Sequence, residues 1–64
     1  MDFHRLVERV RAEFREMPGL QLTPAQASRL LGIEPEACLR VIDALVSAAF
    51  LRRTAVGTIV LGGE

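Results

Sequence analysis

The chain has one cysteine, one histidine and no lysine, and each shortage removes a class of structure or function. A single cysteine forms no intrachain disulfide, and one cysteine with one histidine cannot supply the ligands of a structural zinc site. No run approaches the roughly 20 apolar residues of a membrane span. The opening Met1-Asp2-Phe3-His4-Arg5 runs straight into charged, amphipathic sequence without the apolar stretch of a secretory signal, so the expected location is the cytoplasm. Eight arginines balance eight acids, and a formal net charge of zero means that no whole-molecule field draws the protein to nucleic acid.

Signs of catalysis are equally scarce. No glycine-rich phosphate loop is present, and Gly62-Gly63 reads as a loose terminus. Local spacing places no serine or cysteine beside His4. Glu34 and Glu36, two apart at a helix start, suit the helix dipole rather than acid–base chemistry. Cys38 falls among acidic and apolar neighbours, which favours a small core residue over a reactive thiol. The expectation is a protein that is not an enzyme, with no catalytic, metal or cofactor-binding residues and no small-molecule ligand.

What the chain does have is apolar sequence, half of its 64 residues. That length allows one domain, 1–64, and a chain so short buries only about 60% of its unfolded surface. Stability must come from packing, helped by a partner or a second copy. Phe3, Leu6, Val7, Val10, Phe14 and Met17 recur at helical spacing and define one face of a first helix, about 3–17. Its other side carries charges of mixed sign, including Arg9 and Glu13 at pairing distance. Pro18-Gly19 stops it, and Leu20-Gln21-Leu22 alternates as a short strand, 20–22.

Thr23-Pro24-Ala25-Gln26 joins a capping threonine, a proline at the first helical position and a glutamine three residues after the cap. It opens a second helix, about 24–31, with Ala27, Leu30 and Leu31 inward and Gly32 as terminator. After Ile33, a buried anchor in a tight turn, Glu34-Pro35 starts a third helix, about 35–48. Its apolar face centres on Ile42 with Cys38, Leu45, Val46 and Ala49 nearby and Leu39 and Val41 at the edges. Glu36, Arg40, Asp43, Ala44 and Ser47 lie opposite. Residues 50–61 read as a β-hairpin with Gly57 at the positive-φ position. The fold class is therefore α+β, mostly helical, in the order helix, short strand, helix, turn, helix, hairpin.

Two helices joined by a short glycine-containing turn form the helix-turn-helix unit, and a preceding strand with a following hairpin makes the winged form. The residues from Leu22 to Ile33, and from Leu45 to Arg53, resemble those of bacterial winged helix-turn-helix regulators. The stretch from Glu13 through Leu31 also resembles short stand-alone bacterial proteins of this type. Such proteins usually carry glycine where Ala49 stands. Ala49 at positive φ would cost roughly 1 kcal/mol, so a longer helix or a differently built turn is expected.

The resemblance implies a DNA-binding, transcription-associated module whose third helix enters the major groove while the hairpin touches the backbone. Helical register puts Glu36, Ala37, Arg40 and Leu39 outward near the start of that helix. Gln26 and Arg29 on the second helix, its N-terminal amides, and Arg52 and Arg53 in the hairpin complete the implied interface with double-stranded DNA. Charge argues the other way. Between Glu34 and Ser47 there are three acids and one arginine, a net charge of −2, with Glu36 or Asp43 placed to neutralise Arg40. The alternative is a protein-interaction or homodimerising module without DNA activity, using Leu39 and Val56, apolar where a DNA reader shows polar groups.

Overall fold

A computed structural model describes residues 2–62. Its elements are α1 (Phe3–Glu16), α2 (Pro24–Leu31), α3 (Pro35–Ser47), β1 (Leu51–Arg53) and β2 (Ile59–Leu61). Asp2 caps α1 by accepting from the His4 N–H at 3.1 Å. The capping box of α2 forms in full: Thr23 Oγ1 accepts from the Gln26 N–H at 3.1 Å, and Gln26 Oε1 accepts from the Thr23 N–H at 2.9 Å. Gly32 ends α2 at φ +65, a left-handed conformation that glycine takes without a Cβ penalty.

The turn between α2 and α3 is fastened twice by Ser28. Its hydroxyl donates to the Ile33 carbonyl at 2.6 Å, and its own carbonyl accepts from the Ile33 N–H at 3.0 Å. This explains a departure from the expected face of α2. Leu30 is 57% exposed, while Ser28 is buried beside Ala27 and Leu31. A serine can occupy the inward position because its hydroxyl is satisfied locally, and the core arc rotates away from Leu30.

β1 and β2 pair antiparallel with Leu51 opposite Leu61 and Arg53 opposite Ile59. Thr54 and Thr58 close the loop through backbone and hydroxyl bonds, with Gly57 at φ +89. Of the strand expected at 20–22, only Leu22 pairs, exchanging both backbone bonds with Ile59 at 2.6 and 3.2 Å. Leu20 instead donates back to the Met17 carbonyl, so the segment is still turning when it reaches the sheet.

The core draws on every element: Leu6, Val10 and Phe14 of α1, Ala27 and Leu31 of α2, Ile33, four residues of α3, and Leu51 and Ile59 of the hairpin. On α3 the buried centre is Cys38, Val41, Ile42 and Leu45. Val41 is wholly buried, whereas Leu39, at the other expected edge, is 46% exposed. α1, α2 and β1 all pack on α3, and Val41 lies on the covered side while Leu39 lies toward solvent. Phe3 and Met17, counted on the apolar face of α1, are about half exposed because the helix overhangs the core at both ends. The ion pair α1 makes is Arg11 with Glu8 at 3.9 Å rather than Arg9 with Glu13.

The helix-to-hairpin junction differs most from expectation. α3 stops at Ser47, and Ala49 does take the left-handed conformation, at φ +63 and exposed to solvent rather than on the buried face. The Ala49 N–H donates to Val46 and the Phe50 N–H to Leu45, closing the helix end. The bonds that terminate α3 outweigh the roughly 1 kcal/mol that alanine loses there. Ala49→Gly is therefore expected to stabilise the fold by about 0.5–1 kcal/mol, less what glycine adds in unfolded-chain entropy. A thermal melt that moves down on this substitution would contradict the strain.

Candidate nucleic-acid interface

Five side chains form the solvent-facing stripe of α3: Glu36, Leu39, Arg40, Asp43 and Ser47, all exposed. Helical register places them together, because α1, α2 and the hairpin claim the opposite side. Ala37, expected outward, is half-buried against the core on the α1 side.

The hairpin reaches this stripe through Arg53, whose guanidinium pairs with the Asp43 carboxylate. Asp43 was expected near Arg40, one turn away on the same helix. The strand instead brings Arg53 across, since Arg53 follows buried Leu51 on the pleat and β1 packs on α3. Both groups are about half exposed or more, so the pair contributes at most about 1 kcal/mol. Its larger effect is on charge: the hairpin cation that reaches α3 shares its position with an anion. Arg29, Arg40 and Arg52 are exposed and make no ion pair among the described residues.

The amide groups at the start of α2 are also largely committed. Pro24 has no N–H, Gln26 N–H bonds Thr23, and the Gln26 side chain uses its Oε1 on the Thr23 backbone. Only the Gln26 side-chain amide hydrogens and the Ala25 N–H remain to meet a ligand. Gln26, Arg29, Leu22 and Leu30 border an open, mostly apolar hollow beside this helix. Val56, at the hairpin tip, is 81% exposed.

Two arginines have a role that sequence spacing did not suggest. Arg11 and Arg15 of α1 lie over the Phe50 ring, with guanidinium carbons 4.8 and 5.7 Å from its centroid. The stacking ties α1 to the α3–β1 junction. Their spacing of four residues was visible, but the aromatic partner 35 or more positions away was not. Cys38 is buried with its Sγ 3.9 Å from the Pro24 carbonyl, and burial pushes its thiol pKa up. That disfavours the thiolate and leaves Cys38 a core residue.

Among the described residues no group of three or more His, Cys, Asp or Glu is placed to hold a metal ion. No described helix is long and apolar enough to cross a membrane. No protein-family model, curated protein or solved structure matches this chain. What stands is a three-helix α+β domain with an antiparallel hairpin, and a candidate interface of mixed charge with an exposed leucine within it.

Proposed function

We propose that this chain is a winged helix-turn-helix module that works by binding protein rather than by reading DNA or by catalysis. The carrying observation is the outward stripe of α3, where half-exposed Leu39 stands among Glu36 and Asp43, and Asp43 already holds the hairpin's Arg53. A helix entering the major groove brings its outward stripe against base edges and phosphates, where an uncompensated carboxylate such as Glu36 is repelled and an apolar side chain gains little. A protein surface suits the same residues: the leucine supplies apolar area and the flanking charges a polar rim.

A second reading, duplex DNA binding, draws support from Arg29, Arg40 and Arg52, exposed and without carboxylate partners among the described residues. Three phosphate contacts would give a salt slope of only about −3 in log K against log salt. The two readings separate in one titration. Labelled mixed-sequence duplexes, followed by anisotropy with rounds of sequence selection, are expected to bind no tighter than roughly 10⁻⁴ M at physiological salt, with nothing enriched. An enriched duplex held below about 1 μM, and lost on Arg40→Ala and on the double change Arg52→Ala/Arg53→Ala, would put DNA reading in its place.

A further inference from the structure

Leu30, 57% exposed, is the most exposed of the large apolar side chains on the described helices. With Leu22, Gln26 and Arg29 it borders an open hollow of about 380 Å³ beside α2. Leu22 has both its N–H and its carbonyl bonded to Ile59, so what it turns to the hollow is its side chain. The two polar side chains on the border are both donors. Gln26 spends its Oε1 on the Thr23 N–H and keeps its amide hydrogens, while exposed Arg29 makes no ion pair among the described residues. None of the four bordering residues is acidic, and from Met17 to Ile33 Arg29 is the only charged residue.

Two leucines beside side chains that only donate select an occupant with apolar groups and a negatively charged acceptor. Duplex DNA supplies the charge but sets Leu22 and Leu30 against phosphates, where they gain little. A free small molecule fits poorly for another reason: its pockets enclose most of the ligand, and an open hollow covers one side. A side chain carried by a longer polypeptide needs only that one side covered. We infer that this hollow docks a short segment of a partner protein in which a leucine-like side chain is flanked by aspartate or glutamate. The apolar group rests on Leu22 and Leu30, and the carboxylate accepts from Arg29 and Gln26. This rests on the reading of the chain as a protein-binding module and adds a contact of stated chemistry to the Leu39 stripe. The leucines supply the attraction and the donors choose the partner, and so small a contact gives a Kd on the order of 100 μM.

The probe is a short helical peptide with leucines on one face and glutamates beside them. One control peptide has lysines for the glutamates, and another has alanines for the leucines. Titrated into isotope-labelled protein, the glutamate peptide is expected to shift the amide signals of Gln26, Arg29 and Leu30. Both controls are expected to bind at least about fivefold more weakly. Arg29→Glu is expected to weaken the glutamate peptide about tenfold and to strengthen the lysine peptide. Gln26→Glu separates binding from folding, because glutamate at that position still closes the capping box. Its melt is expected to hold while affinity for the glutamate peptide falls about threefold or more, the amide donors having become a carboxylate. Leu30→Ser, at an exposed site, supplies an apolar disruption with the same expected loss of binding. No binding by the glutamate peptide at about 1 mM overturns the inference, as do equal binding by the lysine peptide and shifts confined to the α3 stripe. Unchanged affinity in both Arg29→Glu and Gln26→Glu does the same. Those failures leave the Leu39 reading in place, whereas a selected duplex bound below about 1 μM removes that reading as well.

Discussion

Phe14→Ala is expected to cost the fold about 3–5 kcal/mol, several times the loss from Phe3→Ala on the same helix. Phe14 is wholly buried in the layer shared by α1 and α3, and truncating a buried phenylalanine costs about 3–5 kcal/mol. A domain of this size has a total stability of roughly 3–10 kcal/mol, so one such cavity removes a large part of it. Phe3, nearly half exposed, loses about 1 kcal/mol or less in the monomer. Urea denaturation followed by circular dichroism at dilute concentration reads both. Equal losses at the two positions would mean that α1 does not sit on the core as described.

Gly62→Ala is expected to cost about 1–3 kcal/mol, although glycine at that position reads as part of a loose terminus. The Gly62 N–H donates to the Phe50 carbonyl at 2.7 Å, which extends the hairpin ladder past β2. A Cβ there would lie 2.6 Å from the Ala49 carbonyl oxygen and 3.1 Å from that of Phe50. Both obstacles are backbone, in the junction where Ala49 is already left-handed, so neither moves aside easily. The measurable result is a lower denaturation midpoint with an unchanged slope. A neutral outcome would show that the end of the hairpin is free to shift. Ala49→Gly combined with Gly62→Ala should be non-additive, because the two sites share one carbonyl.

The same junction shows where residue-level reasoning stopped. The missing glycine at Ala49 suggested a longer helix or another turn, and the chain instead accepts the strain. Whether alanine enters the left-handed region depends on what it gains there. Here the gain is the pair of bonds that ends α3 and the packing of Phe50 under Arg11 and Arg15. Two of those partners lie far away in sequence. The Asp43–Arg53 pair was hidden for a similar reason. Local spacing offered Asp43 the nearer Arg40, and only the path of β1 over α3 made Arg53 the closer cation.

Features built from neighbouring residues were determined by the sequence alone. The Thr23–Gln26 capping box, the proline starts of α2 and α3, and the left-handed Gly32 and Gly57 need only atoms within one turn or loop of each other. Their energetics are settled before any tertiary contact forms. The tertiary structure decided what each face meets: which of Phe3 and Phe14 is covered, that Ser28 rather than Leu30 turns inward, and that the strand-like triplet 20–22 pairs through Leu22 alone. Burial depends on neighbours brought together from across the chain, and periodicity specifies a face without specifying its cover. The scarcity of cysteine, histidine and net charge narrowed the chemistry from the outset. Only the folded chain showed how its balanced charges are distributed, with Arg53 held on Asp43 and Arg11 paired with Glu8.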